Sequence, residues 1–232
     1  MDIVLFPEGL ENNPDKFIEV PAIKGPVPTM IRETLNYLRV NVVKERIQKP
    51  TDDEHSIKVF NYPFQALEEA VVNALYHRDY MQREPVEITI EPDKISILSY
   101  SGPDRSISME DIKEAKSLRS RRYKNRRLGD FLKELNLTEG RATGIPTIQK
   151  KLSENGSPRA VIKTDDARTF FLIVIPSRKD FVQVDAQVES VDIQMVVANL
   201  SKLCPRYVQG RTDEYGSMFA PCNGRCFCSE YA

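Results

Sequence analysis

Apolar and polar positions along the chain fall into short blocks whose period changes from two to about 3.6 and back. "DIVLF" and "KFIEVPAI" read as two short strands around a polar turn, the second ending at Gly25-Pro26. From Pro28, Ile31, Leu35, Leu38 and Val42 recur at helical spacing, and "SIKVFNYP" then alternates as a strand does. Pro63, with its pre-set φ, marks the first turn of a helix through "ALEEAVVNALYH". Two alternating runs, Val86 to Ile90 and Ile95 to Tyr100, are joined by Pro92-Asp93 and predict a hairpin ending at Gly102-Pro103. Ser108 followed by Asp111 resembles a capping box and starts another helix. Leu128, Phe131, Leu132 and Leu135 share a helical face, and "TGIPTIQKKLSENG" predicts a helix that Gly156 can close. The strands "RAVIK" and "TFFLIVIP" complete the compact region near Pro176.

Interleaved helices and hairpins of this kind predict an α+β fold: a two-layer α/β sandwich with a mixed, largely antiparallel sheet and helices on one face. Beyond Pro176 the pattern fades. "SRKDFVQVDAQVESVD" is polar linker, "IQMVVANLSKLC" predicts a short helix, and residues 205–232 show no period and are expected to be disordered. With 232 residues, 41% hydrophobic and 29% charged, the chain has ordinary globular composition and enough length for a sizeable core. Lys plus Arg (33) nearly balance Asp plus Glu (34), so attraction to nucleic acid must come from a local patch. No apolar run approaches the roughly 20 residues that span a bilayer, and the first residues lack a signal-peptide pattern. A cytoplasmic protein with no membrane partner is therefore expected.

The helix after Pro63 carries the most informative polar pattern. Leu67, Ala70, Val71 and Ala74 form its apolar face, while Glu69, Asn73 and His77 recur at steps of four on the other side, drifting by about 40° per step. A solvated face explains such a stripe. So does a cleft, in which a carboxylate orients an attacking water and an amide oxygen ligates a hard cation bridging two phosphates.

Glu69-x-x-x-Asn73-Ala74 resembles the N-box of the GHKL superfamily of ATP-binding (Bergerat) folds, which includes gyrase, chaperone ATPases, histidine kinases and mismatch-repair ATPases. More specifically, "YPFQALEEAVVNALYHRDY", "SYSGP", "KNRRLGDFL" and "EGRATGIPTIQKKL", in that order, resemble the GHKL-like C-terminal domain of a bacterial and archaeal family labelled transcriptional regulators or RecG-related, ATP-dependent helicase-like proteins. The likeness covers about Val20 to Pro176. It implies ATP and Mg²⁺ as ligands, Glu69 as the general base for hydrolysis, Asn73 as the Mg²⁺ ligand, and Gly102, Gly140, Thr143 and Gly144 at the nucleotide. Family members carry a Schlafen/AlbA-like DNA-binding domain upstream and often a winged helix downstream. By that likeness residues 1–25 are the end of the upstream domain, 26–178 the GHKL-like domain, and 179–232 a linker with an incomplete winged-helix-like or disordered tail. A DNA partner and a homodimer are further implications. The sequence departs from the superfamily at the adenine position, where a strand-end Asp is expected: Ser99, Tyr100 and Ser101 precede Gly102, and no carboxylate follows until Asp104. The loop Gly140 to Ile145 reads equally as a phosphate cradle or as a plain loop capped by Thr143.

"HRDY" is not a kinase catalytic loop, because no downstream DFG and no glycine loop with a strand lysine accompany it. His77 or Arg78 is expected as a cation favoured by the helix dipole, with a structural role for Arg78-Asp79 as the alternative. "RSRRYKNRR" places six basic residues in nine around Tyr123, and Arg121, Arg122, Lys124, Arg126 and Arg127 are the candidate nucleic-acid contacts. A solvated basic loop is the plainer alternative. Cys204, Cys222, Cys226 and Cys228 lack the usual CxxC pairing, so free thiols rather than a zinc site are expected. Three functions remain: a DNA-associated regulator with a degenerate ATP-binding domain, a working Mg-dependent ATPase using Glu69 and Asn73, and an inactive truncated remnant.

Overall fold

The computed structural model of the chain describes residues 1–48, 57–115, 124–137 and 144–182. The chain divides into two compact units, Met1–Val188 and Glu189–Ala232, and every described residue belongs to the first. In chain order the elements are β1 (Asp2–Leu5), β2 (Ile18–Val20), α1 (Val27–Asn41), β3 (Glu45–Gln48), β4 (Ile57–Phe60), α2 (Phe64–His77), β5 (Glu87–Ile90), β6 (Lys94–Tyr100), α3 (Met109–Glu114), α4 (Arg126–Glu134), α5 (Gly144–Glu154), β7 (Val161–Lys163) and β8 (Phe170–Pro176). Six strands form one sheet in the order β2-β1-β5-β6-β8-β7, and β3-β4 form a separate antiparallel pair. Only β1 and β5 run parallel within the large sheet; its other neighbours are antiparallel. This is the mixed, largely antiparallel α+β sandwich the pattern predicts.

Alternation explains the core. Register places Ile3 beside Ile88, Ile88 beside Ile97, Ile97 beside Ile173 and Ile173 beside Ile162, a row of isoleucines across five strands. All five are buried, and they join Ile31 and Leu38 of α1, Leu67, Val71 and Leu75 of α2, and Ile148 and Leu152 of α5 in one cluster. Branched side chains suit a pleated, half-buried surface, and burying each adds about 1.5–3 kcal/mol. The two strands expected within residues 1–25 are the outer pair of this same sheet, so the chain's first residues are built into the body that carries the helices.

Several local signals act as read. Ser108 Oγ caps α3 by accepting from the Asp111 backbone N–H at 3.0 Å, and it donates to the Asp111 carboxylate at 2.8 Å, so the shorter Asp meets the hydroxyl where the Glu of a capping box would reach the Ser108 N–H. Gly156, at φ +71°, follows α5. Pro63 sits one position earlier than expected, at the N-cap of α2. Phe131, expected on the buried face of α4, is 49% exposed. The helix instead seats itself through Leu132 and through Gly129, whose bare Cα meets Tyr76: a Cβ there would lie 2.3 Å from the Tyr76 hydroxyl. The expected helix of residues 193–204 and the four cysteines lie outside the described residues. Among the described residues no helix is long and apolar enough to cross a membrane.

Candidate nucleotide site

Two polar clusters lie along α2, one at its middle and one at its C-terminal end. At the middle, Glu69 and Asn73 are half-buried beside Ala70 and Ala74, small residues whose full burial keeps the helix close to its neighbours. Asn73 Nδ2 donates to Glu69 Oε1 at 3.3 Å, the i,i+4 pairing that the helix repeat permits. With its amino group turned to Glu69, the amide directs its Oδ1 the other way. Gly144, the first residue of α5, closes over the pair: a Cβ there would fall 2.3 Å from Asn73 Nδ2 and 2.7 Å from Glu69 Oε1. Only glycine admits this approach without moving a side chain. The helix N-terminus beside the carboxylate brings backbone N–H groups and the positive end of the macrodipole to that spot. Thus the tertiary structure brings together three of the expected residues, Glu69, Asn73 and Gly144. Gly140 and Thr143 lie outside the described residues.

His77 ends the stripe. Its ring packs at 4.6 Å, tilted, on the Tyr76 ring. His77 is exposed, yet desolvation of its ring lowers its pKa below the usual imidazole range, the direction opposite to that of a helix-end imidazolium. Arg78 has the structural role instead. Its Nη2 donates to the carbonyls of Gln82 at 3.2 Å and Glu84 at 2.7 Å, and its guanidinium lies 5.3 Å from the Tyr80 ring. It thereby holds the loop after α2 in shape.

The second cluster gathers where β6 ends. The inward face of β6 runs Ile95, Ile97, Ser99 and continues to Ser101, so hydroxyls replace isoleucine at one end of the same buried row. Ser101 has φ +94°, a left-handed conformation that costs a non-glycine residue about 1–3 kcal/mol. Its N–H donates to Thr169 O at 3.2 Å, and that of Gly102 to Arg168 O at 3.0 Å. A Cβ on Gly102 would lie 2.6 Å from the Arg168 carbonyl, so this glycine serves the contact with the turn before β8 and spends its amide there. Asp104 accepts from the N–H and hydroxyl of Ser106 in its own turn.

The basic segment is anchored at this end. Lys124 Nζ donates to Ser101 Oγ and lies 4.0 Å from Asp79 Oδ2. Asn125 Nδ2 donates to Tyr76 O at 2.8 Å and Arg78 O at 2.7 Å, occupying carbonyls that a helix end leaves without intrahelical donors. Arg126 and Arg127 follow, exposed, in the first turn of α4. Arg121 and Arg122 lie outside the described residues.

Residues 84–175 match the family described as "Putative ATP-dependent DNA helicase recG C-terminal". The RecG-related, GHKL-like resemblance therefore holds for the stretch from β5 through β8, while α2, with Glu69 and Asn73, precedes the matched residues. Among solved structures, the DIP2311 protein from Corynebacterium diphtheriae matches with a TM-score of 0.61 and 19% identity, over 77% of this chain and 35% of that one. At that identity the likeness concerns the fold, and this chain spans about a third of the length of that protein. No curated protein matches.

The sequence pattern announces the pair on α2 but not Asp79, Ser101 and Asn125 as a group. Asp79 lies outside the apolar period and stands out only as part of "HRDY". Its neighbours at the strand end come from positions 22 to 46 residues further along the chain, so no local spacing announces them.

Proposed function

We propose that this chain is a cytoplasmic, DNA-associated regulator whose RecG-related, GHKL-like domain takes a Mg–nucleoside triphosphate where α2 meets the start of α5. The observation that carries this reading is the seating of Gly144 on the Glu69–Asn73 pair. A carboxylate, an amide oxygen turned away from it and a helix N-terminus make a donor set that suits a hard cation and an anionic phosphate tail. When bound, Mg²⁺ neutralises phosphate charge; Asn73 would hold it, and the amides at the start of α5 would face the phosphates. Calorimetric titration with Mg-ATP tests the reading. Wild type should bind, and Asn73→Ala should lose at least tenfold in affinity; absence of binding by wild type sinks the proposal and favours the inert remnant.

Hydrolysis is the second reading, supported by the position of the Glu69 carboxylate beside the same helix start. A general base contributes about 10²–10⁴-fold, so Glu69→Gln should cut phosphate release by at least a hundredfold while Mg-ATP binding persists.

The DNA part of the proposal rests on exposed Lys124, Arg126 and Arg127 at the start of α4. Replacing Arg126 and Arg127 by Ala should weaken binding to duplex DNA and flatten the plot of log K against log salt by about 0.9 for each phosphate that is no longer neutralised. An unchanged slope would remove the patch from the reading. A homodimer is also proposed on the family likeness alone, and light scattering decides it.

A further inference from the structure

We infer that Asp79 supplies the base-recognising carboxylate that the end of β6 lacks, and that with Ser101 and Lys124 it forms a subsite selecting adenine over guanine. This rests on the nucleotide reading above. Ser99, Tyr100 and Ser101 bring no carboxylate to the strand end, and Asp104 turns its Oδ1 to Ser106. The chain leaving α2 supplies one instead. The Asp79 N–H donates to Tyr100 O at 3.0 Å, which fixes the residue beside the last position of β6. Asp79 Oδ1 accepts from the Met81 N–H at 3.0 Å, while Oδ2 faces Lys124 at 4.0 Å, beyond hydrogen-bond length. The Asp79 side chain is 31% exposed, so a ligand can reach it. A carboxylate offers about four lone-pair sites, and this geometry leaves Oδ2 with capacity to accept.

The cluster therefore presents an acceptor, Asp79 Oδ2, next to a donor, the Lys124 ammonium, which the Ser101 hydroxyl oxygen helps to hold. Adenine's N6/N7 edge carries an amino donor beside a ring-nitrogen acceptor and complements that arrangement. The same edge of guanine carries two acceptors and would set an oxygen against the carboxylate. The left-handed Ser101 fits a constrained binding position: backbone outliers persist where the surroundings over-determine them, and they gather at ligand sites.

The experiment titrates the full chain, as wild type and as Asp79→Asn, with Mg-ATP, Mg-GTP and Mg-tripolyphosphate. Wild type should bind ATP at least tenfold more tightly than GTP. Asp79→Asn keeps an oxygen for the Met81 N–H and should lose that preference through weaker ATP binding, with tripolyphosphate affinity unchanged as the sign of an intact fold. Undiminished ATP preference in Asp79→Asn, or none in wild type that still binds tripolyphosphate, overturns the assignment and leaves the nucleotide reading standing. No binding of any of the three ligands overturns both. As a second variant, Lys124→Met removes the donor beside Oδ2 and should weaken ATP binding at least threefold with tripolyphosphate affinity unchanged; unchanged or tightened ATP binding would count against this subsite.

Discussion

The middle of α2 and its C-terminal end are both polar and both half-buried, but they are held by different means. At the middle, Glu69 and Asn73 are one helical turn apart and bond to each other, and the start of α5 closes over them because residue 144 has no side chain. At the end, the carbonyls of Tyr76 and Arg78 are held by Asn125, and the Asp79 carboxylate lies near Lys124, partners that return from more than forty residues away. A local pair can exist in an isolated helix, whereas the end cluster exists only once α4 has docked. The difference separates two jobs. The middle is a pair of functional groups that the helix can present by itself, and the end is where the fold stabilises its own helix terminus while assembling further groups.

This contrast can be broken by substitution, and the largest effect should come at the C-terminal end. Asn125→Ala removes two hydrogen bonds and leaves two helix-end carbonyls to find other donors, which should cost about 2 kcal/mol in urea unfolding. A loss close to zero would mean that solvent already serves those carbonyls. Gly144→Ala should cost less, about 1 kcal/mol, because the atoms in its way are side-chain ends that can swing aside. Its consequence for Mg-ATP binding should be larger than its consequence for stability, since the swing moves Glu69 and Asn73 themselves. Equal binding by Gly144→Ala and wild type would show that the seat is packing and nothing more.

The smallest effect concerns His77. Its folded-state pKa lies below the unfolded value, so below the ordinary imidazole pKa the unfolded chain binds more protons and stability falls with falling pH. The thermal midpoint should drop between about pH 7 and pH 5, by less in His77→Gln than in wild type. An identical drop in both would place the acid sensitivity elsewhere.

The legibility of each region follows from the range of its contacts. Alternation in Ile88, Ile90, Ile95 and Ile97 announces β5 and β6 because a strand turns over every second residue. Steps of four announce Glu69 and Asn73 because a helix repeats every 3.6 residues, and the Ser108 cap is legible because its partner is three residues on. The Gly102 motif is legible as a position but not as a role: its N–H and its missing Cβ are committed to Arg168, which the sequence does not place beside it. His77 misleads for a related reason, since the helix dipole is a local argument and desolvation is set by everything packed around the ring.

By itself, then, the sequence determined most of the elements, though not β3, most of their buried faces, though not that of Phe131, and the carboxylate–amide pair on α2, because backbone geometry imposes those periods within a few residues. Only the tertiary structure decided that β1 lies parallel beside β5, that one row of isoleucines crosses five strands, that Gly144 closes on Glu69 and Asn73, and that Asp79, Ser101 and Lys124 meet at the end of β6. Those meetings depend on strand register and on how helices pack over the sheet, and both are settled by the joint burial of residues far apart along the chain.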